Sequence, residues 1–175
     1  MSAADPRAPG PGGGEALPVR PAARVLLVDP ADRVLLFRSR PPADGPAFWF
    51  PVGGQIEPGE SAEAALVREA REETGLAELS LGPEVFHRRF IFHWRGQVWD
   101  ARERWWFARV LTFDPVFAGM EAVEIDDFSD CRWLSPADLH AVVAAGDRLT
   151  PAELTDHLPA FLAGDFTGTP FTVAD

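Results

Sequence analysis

Tyrosine is missing from this chain of 175 residues, and cysteine occurs once, at Cys131. A lone cysteine excludes an internal disulfide and fits a reducing, cytoplasmic compartment. Long apolar runs are missing too. Stretches such as Val34-Leu35-Leu36-Phe37 fall far short of the roughly 20 residues that span a bilayer, so no membrane partner is expected. The first residues hold no basic start followed by an apolar stretch, and no secretory signal is expected. Positive charge is scarce, with 16 basic against 27 acidic residues and a formal net charge of −11. That balance works against a non-specific grip on extended nucleic acid, which needs a basic surface. It leaves room for a small anionic substrate, provided that divalent cations stand between an acidic pocket and a phosphate.

Hydrophobic residues make up 46% of the chain, enough for the core of one domain. Residues 1–21 are rich in Pro, Gly and Ala and lack apolar periodicity, which predicts a disordered tail. The domain is expected over 22–146, with a C-terminal helix and tail, 147–175, packed on it. Order should begin near Ala23. Arg24-Val25-Leu26-Leu27-Val28 reads as a buried strand, Asp29-Pro30-Ala31-Asp32 as a turn, and Val34-Leu35-Leu36-Phe37 as the returning strand. Pro41 to Pro46 reads as a loop, followed by the short apolar run Phe48-Trp49-Phe50 entering a glycine turn. Ser61 to Thr74 is the clearest helix, with Ser61 as its cap and Gly75 as its stop. Glu84 to Leu111 reads as antiparallel strands turning at Arg95-Gly96-Gln97. Phe113 to Asp130 reads as an acidic loop, and Cys131-Arg132-Trp133-Leu134 as a further strand. Ser135-Pro136 opens a helix ending at Gly146, and Thr150-Pro151 opens another ending near Gly164. Strands and helices mix without a regular βαβ alternation, which predicts an α+β fold.

The chemistry is concentrated between Gly54 and Leu76. Glu69, Glu72 and Glu73 lie at i, i+3 and i+4, so a helix points them the same way, and Glu60 sits just before that helix. Carboxylates gathered this closely repel and raise one another's pKa, whereas Mg²⁺ or Mn²⁺, which prefer carboxylate oxygen, reverse the cost. Arg68 can pair with Glu72 or brace another carboxylate, and Gly53 and Gly54 allow a sharp turn and a close approach to a ligand. A lone pair of glutamates on a helix is most often a solvated face; the full spacing argues otherwise.

That spacing resembles the Nudix box. A glycine is followed by a glutamate, an Arg-Glu-aliphatic triplet, a Glu-Glu pair and a Gly-aliphatic pair, supplied here by Gly54, Glu60, Arg68-Glu69-Ala70, Glu72-Glu73 and Gly75-Leu76. Seven fixed and two loose positions match over 23 residues; Ala70 is small for its aliphatic site, and Val52 looks inserted before the two glycines. The resemblance extends over residues 22–146. It implies an αβα sandwich around a mixed β-sheet and a metal-dependent hydrolase that cuts a phosphoanhydride bond by attack of water on phosphorus. By resemblance Glu69, Glu72 and Glu73 are the main ligands of Mg²⁺ or Mn²⁺, Glu60 supports them, Gly54 supplies a backbone carbonyl, and Arg68 orients the group. The general base in the family varies between a box glutamate and an acid on a later loop. Among Glu121, Glu124, Asp126 and Asp127, the candidates here are Glu124 and Asp127, shortly before Cys131, although a solvated loop explains them equally well.

Other residues carry less. Trp94, Trp99, Trp105, Trp106 and Phe107 could stack on a base, but a sheet core explains them better. Arg38, Arg40, Arg88 and Arg89 could contact phosphate, and most read as surface charges. His87 and His93 lack zinc-site spacing, and Cys131 reads as a packed strand residue. The subfamily runs tied to NADH, coenzyme A or ADP-ribose are absent or misplaced, and the missing tyrosine removes the one linked to dinucleoside polyphosphates. The substrate therefore stays at the level of a small nucleoside diphosphate derivative. A nucleotide-sensing domain without catalysis ranks second, because such domains usually lose box glutamates that this chain keeps. A diphosphate isomerase ranks third, because Cys131 lies in the wrong region. Homodimers are common in the family, but no feature of the sequence demands one.

Overall fold

The computed structural model describes residues 16–40, 45–94, 96–117 and 128–173. Their main element is an eight-stranded mixed sheet. The strands are β1 (Val19–Val28), β2 (Val34–Ser39), β3 (Phe48–Gln55), β4 (Glu84–Trp94), β5 (Gln97–Arg109), β6 (Phe128–Leu134), β7 (Arg148–Leu149) and β8 (Phe171–Val173). The helices are α1 (Ala62–Thr74), α2 (Pro136–Ala144) and α3 (Leu154–Leu162). The strands lie in the order β6-β2-β3-β1-β5-β4-β8, with β7 on β3. The pairs β1–β5, β3–β7 and β4–β8 are parallel, and the others are antiparallel.

The apolar run in β1 is continuous because both faces of the sheet are covered. Val25 and Leu27 pack with Ala65, Leu66 and Ala70 of α1, whereas Leu26 and Val28 pack on the opposite face with Leu139 of α2 and Leu154, Leu158 and Phe161 of α3. The result is the expected αβα sandwich. Among the described residues, no helix is long and apolar enough to cross a membrane.

Local chemistry sets the helix ends. The Ser61 hydroxyl accepts from the Ala64 N–H at 3.1 Å, and Gly75, at φ 77°, closes α1 by donating its N–H to the Arg71 carbonyl at 3.0 Å. Ser135 and Asp138 form a reciprocal capping box on α2, with Pro136 at its start.

Several boundaries differ from the sequence reading. Of the tail expected over 1–21, residues 1–15 lie outside the described residues. Residues 19–21 belong to β1, which starts ahead of Ala23 because the long β5 offers partners down to the Val19–Asp100 pair. β6 starts at Phe128 rather than Cys131, held against Ser39 across a register shift. α3 starts at Leu154 rather than just after Thr150-Pro151, because Leu149 pairs with Trp49 and residues 150–153 form a turn, with the Leu154 N–H on the Pro151 carbonyl. The short strands β7 and β8 were not expected. Arg95, most of the loop expected over 41–46, and residues 118–127 of the acidic loop lie outside the described residues.

One buried charge locks the β1–β2 turn. Asp29 is fully buried. Its carboxylate accepts from the backbone N–H groups of Ala31 and Arg33, from the Arg33 guanidinium at 2.9 and 2.6 Å, and from the Thr112 hydroxyl at 2.9 Å. Burial works to raise its pKa, but these hydrogen bonds outweigh it and hold the group at about 2. Because the folded protein takes up this proton less readily than the unfolded chain, the stabilisation is fully present above about pH 4 and is lost as pH falls through about 2. Asp29→Asn is expected to cost about 2 kcal/mol at pH 7. In urea unfolding, the gap between variant and wild type should close as the pH falls through that window.

Candidate active site

The turn from β3 into α1 and the outer side of α1 carry the residues singled out from the sequence. α1 buries Ala62, Ala65, Leu66, Ala70 and Thr74 against the sheet, with Glu69 and Glu73 on the flank that meets the glycines of β3 and Arg68 and Glu72 further out. Arg68 lies at the centre. Its Nη1 donates to Glu69 at 2.7 Å and to Glu72 at 3.2 Å. Its Nε and Nη2 each donate to Glu60 at 3.1 Å, and Nη2 also reaches the Gln55 carbonyl at 2.9 Å. Both pairings foreseen for Arg68 are therefore made at once, and one guanidinium, with a single positive charge, is shared by three glutamates.

Glu73 behaves differently. Helical spacing places it beside Glu69 and Glu72, but its carboxylate accepts the Gly53 N–H at 2.8 Å. Among the described residues, no three His, Cys, Asp or Glu side chains stand close enough to hold a metal ion as they are. The donor chemistry nonetheless suits a hard divalent cation: the side chains are carboxylates, and the Glu69 carboxylate lies so close to Gly54 that a Cβ there would overlap it. Gly54 and Glu69 are thus brought together, Glu60, Glu69 and Glu72 meet on Arg68, and Glu73 braces the turn. Glu121, Glu124, Asp126 and Asp127 lie outside the described residues.

The electrostatics follow from this arrangement. The Glu69 pKa is raised, first by burial and only secondarily by the charge of Glu72, while Arg68 opposes the rise. The expected mutual repulsion is present in the Glu72 contribution, and burial adds a larger one that spacing alone does not reveal. Glu60 is held below its ordinary value, chiefly by the Arg68 guanidinium and then by the Glu57 N–H. Arg68 is held well above its ordinary range, with Glu60 as the largest cause.

These groups form one end of a cleft of about 1270 Å³. Arg20, Arg24, Arg88, Glu103 and Trp105 also line it, and Phe48, Phe50, Phe90, Phe92 and Phe128 supply apolar surface. Arg24, Arg20 and Glu103 were missed from the sequence. Their only signal was charge inside otherwise apolar strands, and the partners Arg24 and Glu103 are 79 positions apart. Trp105, Trp106 and Phe107 are core residues, as expected, although Trp105 also borders the cleft. Arg38 is tied to Asp147, and Arg89 to Asp100. His87 pairs with Glu84 at the surface. Burial pushes the Cys131 thiol up to about 12, with the charges of Asp130 and Glu73 adding to it, so the group stays protonated and unreactive.

Comparison with known proteins adds to this geometry. A family model described as NUDIX domain matches residues 18–158. An RNA pyrophosphohydrolase of Novosphingobium aromaticivorans is 30% identical over 150 residues, covering 80% of this chain and 92% of the relative. A nucleoside triphosphatase NudI of Escherichia coli is 39% identical over 95 residues, covering 54% of this chain and 66% of the relative. The solved structure of the Escherichia coli dihydroneopterin triphosphate pyrophosphohydrolase superposes with a TM-score of 0.57 at 21% identity, covering 85% of this chain and 99% of that one, which shows the shared fold.

The two adjacent glycines should respond differently to a side chain. Gly53 has φ 131°, and a Cβ there would strike the backbone of Ala23 and Arg24, whereas at Gly54 only the Glu69 side chain must move. Gly53→Ala is expected to cost about 2 kcal/mol or more, and Gly54→Ala less than about 1 kcal/mol, in urea unfolding. Gly54→Ala should instead weaken Mn²⁺ uptake, followed by electron paramagnetic resonance. Equal stability losses at the two positions would contradict this account of the turn.

Proposed function

The chain belongs to the NUDIX domain family, and from that footing we propose that it is a metal-dependent pyrophosphohydrolase cutting the phosphoanhydride bond of a nucleoside diphosphate derivative. The observation that carries the reading is the meeting of Glu60, Glu69 and Glu72 on Arg68, beside a glycine turn with no Cβ between the backbone and Glu69. The names of the relatives, RNA pyrophosphohydrolase and nucleoside triphosphatase, support the same bond type.

Mg²⁺ or Mn²⁺, held by Glu69, Glu72 and Glu73 with Glu60 in support and the Gly54 carbonyl, would supply the positive charge that offsets the diphosphate oxygens. The chain's own residues do the rest. Arg68 fixes the directions of the carboxylates before substrate arrives, so little reorganisation remains at the moment of reaction. The glycine turn lets the phosphates approach the backbone, and the phenylalanine wall of the cleft gives the organic part of the substrate an apolar contact surface. Water attacks one phosphorus, the bridging P–O bond breaks, and the proton of the water passes to a carboxylate, for which Glu124 is the candidate from its place in the sequence. The same acidic chain favours small substrates over long nucleic acids.

The test is product release from a panel of nucleoside triphosphates, nucleotide sugars, dinucleoside polyphosphates and a triphosphate-ended RNA oligonucleotide, with Mg²⁺ or Mn²⁺. At least one member should turn over, and Glu72→Gln and Glu73→Gln should each lower kcat by about 100-fold or more. Tight nucleotide binding without turnover on any member would instead favour a sensor. Glu124→Gln should lower kcat most where the base must be ionised; full kcat at every pH removes Glu124 from that role.

A further inference from the structure

We propose that Glu103, on β5, is a positioning residue that holds the Gly53–Gly54 turn in place by acting through Arg24. The Glu103 side chain is only 4% exposed. A carboxylate so placed is costly unless its oxygens are satisfied, and it accepts from Arg24 Nε at 3.2 Å, Arg88 Nη1 at 3.3 Å and Trp105 Nε1 at 3.1 Å. Arg24 faces two ways: its Nε is held by Glu103, while its Nη1 donates to the Gly53 carbonyl. On its other side Gly53 donates its N–H to Glu73 of α1 at 2.8 Å. A continuous line of hydrogen bonds therefore runs from β5 through β1 and the turn to the helix: Glu103, Arg24, Gly53, Glu73.

Gly53 needs such holding. Its φ of 131° lies in the region side chains avoid, and it packs against the backbone of Ala23. With its carbonyl held from β1 and its N–H from α1, the peptide units on both sides of Gly53 are restrained, which keeps Gly54 against Glu69. Stability alone is a weak reason for the arrangement, since a buried ion pair contributes little over apolar packing of the same volume. Aiming Arg24 at one carbonyl requires an anchor behind it, and Glu103 supplies that anchor. The inference rests on the reading that the turn and α1 form the reacting centre.

The experiment compares Glu103→Gln, Arg24→Gln and the double variant in the full chain. Amide hydrogen exchange is read by NMR, and kcat and KM are measured on whichever diphosphate the wild type cleaves. Glutamine keeps the size of Glu103 but has one accepting oxygen in place of two. In each single variant the Gly53 amide should exchange about 10-fold faster or more while the β1–β5 ladder keeps its protection. kcat should fall roughly 10- to 100-fold with KM changed by less than about threefold. Because the two residues act in series, the double variant should lose no more than the worse single one. Unchanged Gly53 exchange in a folded Glu103→Gln protein, loss of protection spread evenly over the sheet, or additive losses in the double variant would overturn the proposal. If Glu103→Gln does not fold, Glu103→Asp, which keeps the charge beside Arg88, carries the same comparison. Should the wild type cleave no diphosphate, the functional reading falls, while the exchange comparison, which needs no substrate, still decides the role of Glu103.

Discussion

Carboxylates crowded on one side of a helix must find a counter-charge, and the centre of this protein is organised by that requirement. Glu60, Glu69 and Glu72 meet on the Arg68 guanidinium at 2.7–3.2 Å. A guanidinium is planar and presents donors in several directions, so one side chain can face three partners and the Gln55 carbonyl together. Part of the cost of gathering these charges is thereby met within the fold. Arg68 takes one oxygen of Glu69 and one of Glu72, and a cation that took the same oxygens would compete with it.

The turn before the helix is governed from both sides. β1 reaches Gly53 through Arg24, and α1 reaches it through Glu73, so the helix and the sheet are joined by polar contacts as well as by the apolar packing of Ala65, Leu66 and Ala70 on Val25, Leu27 and Val52. Apolar packing is non-directional and fixes the distance of α1 from the sheet. The hydrogen bonds at Gly53 are directional and fix its position along β3. Both are needed where a carboxylate must meet a backbone at a glycine.

What could be read from the sequence divides along the same line. The helix, its Ser61 and Gly75 ends and the grouping of Arg68, Glu69 and Glu72 depend on residues within a few positions of one another, and local spacing contains that information. The assignment of Glu73 to the same stripe was right for its backbone position and incomplete for its side chain, because spacing sets the direction of Cβ and not the rotation beyond it. The lining of the cleft beyond α1 and its turn was not legible. Arg24 meets Glu103 across 79 positions, and Phe48 pairs with Arg148 in a strand of two residues. No window of sequence holds both partners, and a two-residue strand has no alternation to detect. Trp105 and Trp106 are core, as their size and strand setting suggested, while Phe48 and Phe50, and Phe90 and Phe92, each spaced two apart along a strand, gave no sign that the face they share lines a cleft.

All sixteen basic residues are arginine, and the contacts suggest why lysine would serve poorly here. Arg24 links a carboxylate to a carbonyl, Arg38 takes both oxygens of Asp147 at 2.7 and 2.8 Å, and Arg68 gathers three carboxylates. Each task asks one cation to bond in fixed, separate directions, which a rigid fork does at less entropic cost than a flexible ammonium. These contacts also show how little net charge describes the cleft. The chain is acidic as a whole, yet the carboxylates of α1 share their cleft with Arg20, Arg24 and Arg88. A diphosphate lying against α1 would meet repulsion from these carboxylates, and at a few ångströms that repulsion amounts to several kcal/mol in a medium less polar than water. Arg68 offsets only part of that charge, and the proposed function calls on a divalent cation for the rest.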